Sequence, residues 1–178
     1  MIFNPTPIEG AFLVDVEKIE DERGFFGRAF CADAFRKMGI PFEVAQANVG
    51  FSRKKGTLRG LHYQKTPHEE AKLVRCIRGA VFDVIIDLRK ESTSYGRWFG
   101  TELSAGSHRL FHVPRGTAHG YLSLADDSEI MYLVSEFYTP EAERGVRWND
   151  PTFAIRWPIS NPTLNERDAS YPLAEARP

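Results

Sequence analysis

The chain has little cysteine, no long apolar run and no basic leader, and each absence argues against a class of protein. Its two cysteines, Cys31 and Cys76, lie in separate segments without a CxxC spacing. This pattern argues against a disulfide scaffold or a thiolate zinc site and fits a reducing cytoplasm. No stretch of about 18 apolar residues occurs, and the N-terminus does not have the basic and apolar regions of a signal peptide. We therefore expect a soluble, unexported protein without membrane contact.

Charge and composition are also unremarkable. The 23 Lys and Arg residues nearly balance the 24 Asp and Glu residues, for a net charge of -1, which gives no reason to expect nucleic-acid binding. Neither a repeat nor a linker divides the 178 residues, and a domain of this size buries roughly 70% of its unfolded surface. We predict a single domain spanning residues 1–178.

Short strand-like runs between frequent turns predict an all-β fold. The chain has 14 Gly and 11 Pro, and between them lie runs rich in Val, Ile, Phe and Tyr. Residues 72–88 alternate around Arg78-Gly79, which predicts a hairpin. Further predicted strands are 12–19, 98–103, 109–113 and 129–134.

One short helix is predicted near the start of the chain. Asp33 can cap a segment that carries Phe35 and Met38 and stops at Gly39, because Asp is a frequent N-cap and Gly a frequent helix terminator. Closely spaced strands with few short helices favour a sandwich or jelly roll of antiparallel sheets over a parallel sheet.

Arginine, histidine and lysine come together in one strand-like segment. Arg59 and His62 are three residues apart, and Lys72 follows ten residues later. On a regular strand residues 59 and 62 face opposite sides, so their spacing does not by itself place both in one pocket. Taken alone, the segment is more typical of a solvated strand edge.

Three further groups carry reactive side chains, although each has a commoner structural role. His119 lies in a stretch fixed by Pro114 and two glycines, where a histidine is more often a hydrogen-bonded structural residue. Tyrosines such as Tyr132 and Tyr138 more often pack, and the charges around Asp168 are typical of an exposed turn. Together the four groups supply a base, a cation, a phenolic acid and an orienting carboxylate. Proton abstraction beside a ketone requires this set.

Several motifs, in order along nearly the whole chain, resemble the dTDP-4-dehydrorhamnose 3,5-epimerase family. The first half carries Asp21-Glu22-Arg23-Gly24-Phe25-Phe26, Leu58-Arg59-Gly60-Leu61-His62-Tyr63-Gln64, Lys72-Leu73-Val74-Arg75-Cys76 and Asp83-Val84-Ile85-Ile86-Asp87-Leu88-Arg89. The second half carries Val113-Pro114-Arg115-Gly116-Thr117-Ala118-His119-Gly120, Glu143-Arg144-Gly145-Val146-Arg147-Trp148-Asn149-Asp150-Pro151, Trp157-Pro158 and Asn165-Glu166-Arg167-Asp168.

This resemblance implies a cupin-like jelly roll that forms a homodimer, with N-terminal strands exchanged into the partner's site. It also implies that neither a metal nor an organic cofactor is used. The residues agree about the metal, because metal-binding cupins use a His-x-His pair with a following Glu, whereas Tyr63-Gln64 follows His62 here. The Pro-x-Gly-x-x-His half of the metal pattern is kept, ending at His119.

The resemblance implies a nucleotide-linked 4-keto-6-deoxyhexose as substrate and assigns four catalytic residues. His62 removes the proton on C3 or C5, and Asp168 holds its ring in the required tautomer. Lys72 stabilises the oxyanion that develops on C4, and Tyr132 returns a proton to the opposite face of the sugar. The phenol suits this role because its ordinary pKa of about 10 keeps it protonated at pH 7.

Further residues match positions where the family contacts its substrate. Arg23 and Arg59 match its nucleotide-contacting arginines, which suits a pyrophosphate because guanidinium groups bind phosphate oxygens in pairs. His119 is expected to contact the oxyanion or a sugar hydroxyl. The other expected substrate contacts are Phe26, Gln46, Asn48, Tyr138, Glu143 and Arg167.

Departures from the family pattern leave the nucleotide base and the reacting carbon open. Arg28 stands where the family commonly has an acid beside the base, and residues 46–56 are one residue longer, with Gly50 in place of a common Ser. A CDP- or GDP-linked keto sugar is one alternative. Epimerisation at C3 or C5 alone is another, since single-site enzymes share the same catalytic residues.

Three other functions compete with an epimerase. A related sugar-nucleotide 3,4-ketoisomerase uses similar acid–base groups, but the matches at Tyr132 and Asp168 argue against it. A sugar-nucleotide binding protein with a decayed site is disfavoured because His62 and Lys72 are kept as well. A metal-dependent cupin oxygenase or isomerase is disfavoured by the missing His-x-His pair.

Overall fold

Thirteen strands and two short α-helices make up residues 1–174, the part of the chain that the computed structural model describes. The last four residues of the predicted domain lie outside it. The first strands and helix are β1 (Ile2–Pro5), β2 (Phe12–Asp15), β3 (Lys18–Asp21), β4 (Gly24–Gly27), α1 (Ala32–Lys37), β5 (Gln46–Ser52), β6 (Leu58–Gln64) and β7 (Lys72–Arg78). The remainder are β8 (Ala80–Asp87), β9 (Trp98–Ser104), β10 (Leu110–Val113), β11 (Thr117–Ser123), β12 (Ser128–Val134), β13 (Glu143–Gly145) and α2 (Glu166–Ser170).

Two antiparallel sheets face each other and form the sandwich. One has the strand order β1-β2-β10-β7-β12-β5, and the other has the order β13-β6-β11-β8-β9, while β3 and β4 form a separate hairpin. Sequence neighbours are therefore seldom sheet neighbours, as expected for a jelly roll. The predicted all-β jelly roll with few short helices is confirmed.

Alternating apolar side chains fill the space between the sheets. Val74, Cys76 and Ile130 from the six-stranded sheet meet Val81 and Ile85 from the five-stranded sheet in one buried cluster. Each fully buried aliphatic side chain of this kind contributes about 1.5–3 kcal/mol relative to exposure. A second cluster around Phe35 packs α1 against the six-stranded sheet. Among residues 1–174, no helix is long and apolar enough to cross a membrane.

The hairpin predicted for residues 72–88 is wrong. Both strands form, but β7 lies in the six-stranded sheet and β8 in the five-stranded sheet. Gly79, with φ +70°, makes the corner between them, and a Cβ there would lie 2.6 Å from the Ser128 hydroxyl. Alternation around a glycine predicts two strands and a turn, but it does not determine which strands pair.

The strand predicted for residues 12–19 is two strands. Phe12–Asp15 pairs with β1 and β10, whereas Lys18–Asp21 pairs with Gly24–Gly27. All four residues of β3 are exposed, so this segment has left the core. The hairpin rests on the body through Phe25, whose ring lies 4.8 Å from that of His108.

The first helix has its predicted end but not its predicted cap. It stops at Lys37, followed by Gly39 with φ +71°, as expected. Its N-cap is Cys31, and Asp33 lies inside the first turn, where its carboxylate pairs with Arg36 and with Lys37 at 3.2 and 2.9 Å. Asp33 thus stabilises the helix through its (i, i+3) and (i, i+4) ion pairs and through the helix dipole, and not as an N-cap.

Candidate active site

A cavity of about 530 Å³ opens between the two sheets, and polar side chains from both sheets line it. Eleven of the thirteen predicted site residues surround it: Gln46, Asn48, Arg59, His62, Lys72, His119, Tyr132, Tyr138, Glu143, Arg167 and Asp168. The fold therefore brings together residues that are more than 100 positions apart in the sequence.

An irregularity in β6 lets Arg59 and His62 line the same cavity. His62 lies opposite His119 on β11, but Arg59 lies opposite Tyr121, so the register shifts by one residue between them. Gly60 takes φ +125° at this shift, and a Cβ there would lie 2.6 Å from the Cα of Gly120. Such a bulge redirects a side chain to the other face of a strand, which a regular alternation could not do.

His62 and Asp168 form a hydrogen-bonded pair at one wall of the cavity. His62 Nε2 lies 2.8 Å from Asp168 Oδ1, and the side chains of His62 and Asp168 are 26% and 1% exposed. A carboxylate can only accept, so Nε2 carries the proton and Nδ1 keeps a lone pair. The pair thus holds the imidazole in one tautomer with a basic nitrogen.

Helix α2 fixes the position of Asp168. Asn165 caps this helix by accepting a hydrogen bond from the Asp168 N–H at 2.7 Å, and the Gly60 N–H donates to Asp168 Oδ2 at 3.0 Å. Burial raises the pKa of Asp168, but the hydrogen bonds from His62 and Gly60 and the charges of His62 and Arg167 outweigh it and hold the pKa below its usual value. Asp168 is therefore an anion at neutral pH.

Tyr132 approaches the cavity from the opposite sheet. It lies on β12, whereas His62 lies on β6, so the two side chains face each other across the sandwich. Burial raises the pKa of Tyr132, the charge of Glu70 adds to this effect, and Arg59 opposes it. The phenol consequently keeps its proton over the whole physiological range and can act as an acid.

Lys72 supplies a buried cation beside these groups. Its ammonium group lies 3.0 Å from Glu70 Oε1, and the side chains of Lys72 and Glu70 are 9% and 15% exposed. A charge in such a partly desolvated place acts more strongly on a developing oxyanion than it would in water.

A second histidine–carboxylate pair lies deeper in the same cavity. His119 Nε2 is 2.8 Å from Asp83 Oδ1, and these side chains are 7% and 0% exposed. Among the described residues, Asp83 Oδ2 has no hydrogen-bond partner. Tyr121, which lies opposite Asp83 in the β11–β8 register, also lines the cavity.

A small polar network lies at one side of the cavity. The Tyr138 hydroxyl donates to Glu143 Oε2 at 2.7 Å, and Arg167 Nη1 donates to the same oxygen at 2.9 Å. The Tyr138 N–H donates to Gln46 Oε1 at 2.9 Å. These contacts join β5, β13 and α2 around the opening.

Two of the predicted site residues lie elsewhere. Arg23 and Phe26 belong to the β3–β4 hairpin, outside the residues that line the main cavity. The Arg23 side chain is 82% exposed and pairs with Asp21, and Phe26 is 68% exposed. Within one chain, therefore, neither side chain lines the cavity around His62.

The sequence interpretation missed two cavity residues, the buried partner of a third, and one helix. Glu70, Asp83 and Tyr121 were not singled out, because their partners come from other strands and no local pattern marks them. Helix α2 was interpreted as an exposed charged turn, yet Asn165 followed three residues later by an acid is an N-terminal capping signal. That signal could have found the helix.

The donor set around the cavity suits acid–base chemistry better than metal binding. Nε2 of each cavity histidine is taken up by a carboxylate. In residues 1–174, no group of three or more His, Cys, Asp or Glu side chains is arranged to hold a metal ion.

A jelly roll of cupin type with an imidazole–carboxylate pair facing a phenol defines a class, the acid–base isomerases of sugars. Residues 5–175 match the family model described as dTDP-4-dehydrorhamnose 3,5-epimerase. The chain belongs to this family, and it is an epimerase of the cupin type.

Relatives agree over nearly the full length. The chain is 42% identical to the dTDP-4-dehydrorhamnose 3,5-epimerase of Shigella flexneri, covering 92% of this chain and 90% of that protein. It is 41% identical to the dTDP-4-dehydrorhamnose 3-epimerase of Streptomyces niveus, covering 99% and 86%. The 3,5-epimerase from Bacillus anthracis, solved with TDP and PPi bound, superimposes with a TM-score of 0.93 at 39% identity, covering 97% and 99%.

Proposed function

We propose that the chain converts dTDP-4-dehydro-6-deoxy-D-glucose to dTDP-4-dehydro-L-rhamnose by proton transfer at C3 and C5. The observation that carries the proposal is the His62–Asp168 pair, at 2.8 Å, facing Tyr132 from the opposite sheet. A sugar ring between the sheets would have a base on one face and an acid on the other. Inversion at carbon requires this arrangement, since the proton must leave from one face and return to the other.

The first step would be removal of the proton from the carbon beside the C4 ketone. His62 would accept it on Nδ1, while ionised Asp168 stabilises the imidazolium that forms. Positioned acid–base groups contribute about 10²–10⁴ in rate, which is too little without stabilisation of the enolate. Lys72 lines the same cavity and would supply this stabilisation, and losing one such donor costs about 10²–10³ in rate.

The second step would be protonation from the other face. Tyr132 would donate its phenolic proton to the carbon, and its raised pKa favours giving up that proton only to a strong base such as the enolate. His119, held by Asp83 at 2.8 Å, would contact the C4 oxygen or a sugar hydroxyl. Gln46, Asn48, Tyr138, Glu143 and Arg167 would contact the rest of the substrate, and Arg59 its diphosphate.

The reacting carbons are tested by deuterium uptake. With dTDP-4-keto-6-deoxyglucose in D₂O, NMR should show protein-dependent exchange at both C3 and C5. Exchange at C3 alone would support the second candidate, a 3-epimerase, which is the activity named for the Streptomyces niveus relative at 41% identity. If no exchange occurs with this sugar but does with its CDP- or GDP-linked counterpart, the proposed nucleotide is wrong.

We further propose a homodimer in which the β3–β4 hairpin of each subunit completes the site of the other. The hairpin forms its own two-stranded sheet, and Ile19 and Phe26 on it are 71% and 68% exposed. Exposed apolar side chains of this size commonly mark an interface. In a partner's site, Arg23 would add a second guanidinium to the diphosphate and Phe26 would pack against the base.

Mixing two defective variants tests this exchange. Arg23→Ala and His62→Ala homodimers should each be impaired, but unfolding and refolding them together should restore activity toward a quarter of wild type, because one mixed site receives neither substitution. If the hairpin serves the site of its own chain, each site of a mixed dimer carries one of the two substitutions, so no activity is restored. A monomer in solution would also refute the proposal.

The reaction is proposed to need no metal or cofactor, in a single cytoplasmic domain of residues 1–178. Cys31 and Cys76 are both free in the described part of the chain, which fits a reducing compartment. Activity should survive dialysis against EDTA, whereas a loss restored by a divalent cation would contradict this.

A further inference from the structure

Tyr121 spans the sandwich at the inner end of the cavity. It lies on β11 in the five-stranded sheet, and its hydroxyl reaches Gly50 on β5 in the six-stranded sheet. A Cβ at Gly50 would lie 2.5 Å from this hydroxyl oxygen, which is closer than two such atoms approach. The Tyr121 hydroxyl can therefore occupy this position only because residue 50 has no side chain.

The ring of Tyr121 cannot move aside easily. Tyr121 is 7% exposed and packs in the central apolar cluster with Val74, Cys76 and Val81. Close packing leaves buried rings few alternative positions. Its hydroxyl is thus held at one point of the cavity wall.

The surroundings of the hydroxyl suit an anionic group. Arg59 lies opposite Tyr121 in the strand register, and its Nη2 donates to the Phe51 carbonyl while Nε contacts the Ser52 hydroxyl at 3.4 Å. Within residues 1–174, these two contacts hold Nε and Nη2 of the guanidinium and leave Nη1 for a ligand. Burial raises the pKa of Tyr121 to about 12, while the charge of Arg59 and a hydrogen bond from the Ser52 side chain oppose it. The phenol therefore keeps its proton, and with Ser52 donating to its oxygen that proton can be donated to a ligand.

We propose that the Tyr121 hydroxyl, held in the gap left by Gly50, donates a hydrogen bond to the diphosphate of the substrate beside Arg59. This inference rests on the proposed nucleotide-sugar substrate. A diphosphate offers acceptor oxygens alone, and one free guanidinium nitrogen satisfies few of them. Position 50 would then influence affinity without touching the ligand.

Calorimetric titration with dTDP tests the contact. Tyr121→Phe should raise the Kd for dTDP by about tenfold or more, as expected for a lost hydrogen bond to a charged group, with turnover at saturating substrate nearly unchanged. Tyr95→Phe, the same change outside the residues that line the cavity, should bind like wild type. An unchanged Kd in Tyr121→Phe, or a fall in turnover with unchanged dTDP affinity, would overturn the proposal.

The role of Gly50 is tested by a double-mutant cycle. Gly50→Ala should weaken dTDP binding and lower the melting temperature, because its Cβ meets the hydroxyl. In Gly50→Ala/Tyr121→Phe the nearest ring atom, Cζ, would be 3.7 Å from that Cβ, an ordinary contact. The double variant should therefore be more stable than Gly50→Ala and bind no more weakly than Tyr121→Phe. Additive losses would refute the coupling.

These results separate this inference from the proposed function. If the wild type binds dTDP but catalyses no exchange at C3 or C5, the proposed epimerase activity is refuted. The Tyr121 contact is then decided by the Kd of Tyr121→Phe for dTDP. Wild type that does not bind dTDP refutes both.

Discussion

Two histidine–carboxylate pairs lie side by side in the cavity with the same 2.8 Å geometry but different surroundings. His62 and His119 are directly opposed on neighbouring strands. The His62 side chain is 26% exposed, and its partner Asp168 has both oxygens in hydrogen bonds. The His119 side chain is 7% exposed, and among the described residues Asp83 Oδ2 has no partner.

A 2.8 Å contact with a carboxylate does not by itself make a histidine a base. A histidine that exchanges protons with a ligand needs access and a fully stabilised counter-ion, and His62 has both. His119 has neither to the same degree, and its pair links β8 and β11 inside the sandwich. We therefore expect substitutions at the first pair to remove chemistry and those at the second to remove stability.

The largest effect is expected for His62→Ala. Without the base, deuterium exchange at C3 and C5 should fall by about 10²–10⁴, measured by NMR under single-turnover conditions. His68→Ala, a histidine outside the residues that line the cavity, should exchange like wild type. If His62→Ala retained exchange while His119→Ala lost it, the two roles would have to be reversed.

Asp168→Asn should cost less, about 10²-fold in exchange rate, because the amide cannot stabilise an imidazolium by charge. The fold should persist, since the Asn165 cap uses the backbone of residue 168. The pKa of Asp168 lies below its usual value, so its charge stabilises the wild type above about pH 4 and is lost as pH falls further. Denaturation by urea should accordingly show a weaker acid dependence in Asp168→Asn than in wild type, and equal dependence would contradict the assigned shift.

His119→Gln should lower the exchange rate by only about tenfold, because one hydrogen bond to the substrate is weakened. Its free energy of unfolding should fall by about 3 kcal/mol, because Asp83 loses its partner inside the sandwich. His62→Gln should lose less stability, since Asp168 keeps the Gly60 N–H and the nearby Arg167. Urea titration and deuterium exchange on the same samples give the free energy of unfolding and the exchange rate. Equal stability losses in His119→Gln and His62→Gln would contradict the different roles of the two pairs.

A third histidine, His112, differs from both because it is buried among aromatic rings and contacts a backbone carbonyl instead of a carboxylate. Its Nδ1 lies 3.0 Å from the Gly10 carbonyl, and Phe12, Phe35 and Phe42 surround it. Burial lowers its pKa to about 4, with the Gly10 contact opposing. Between pH 6.5 and 4 the unfolded chain binds the extra proton and the folded chain does not, so stability falls as pH falls.

From pH 7 to pH 5 this linkage amounts to about 2 kcal/mol. His112→Asn should lose stability overall, but its urea midpoint should change less with pH than that of wild type. An unchanged slope would show that other groups cause the acid sensitivity.

The sequence predicted most strands and the identity of most cavity residues, but not how they meet. Trp98–Ser104 and Leu110–Val113 were found within one residue because alternation is local. The assignment of β7 and β8 to different sheets depends on partners far along the chain, so no local pattern contains it. The shift at Gly60 is similar, since the close approach of Gly120 requires it.

The position of Asp168 near the C-terminal end affects what a partly synthesised or truncated chain can do. It lies 106 residues beyond His62, and every strand of both sheets ends by Gly145. A nascent or clipped chain that ends before Asn165 would contain every strand of both sheets but lack the carboxylate that pairs with His62. On the proposed mechanism such a chain would be inactive, so activity would depend on a segment that is synthesised after the last strand.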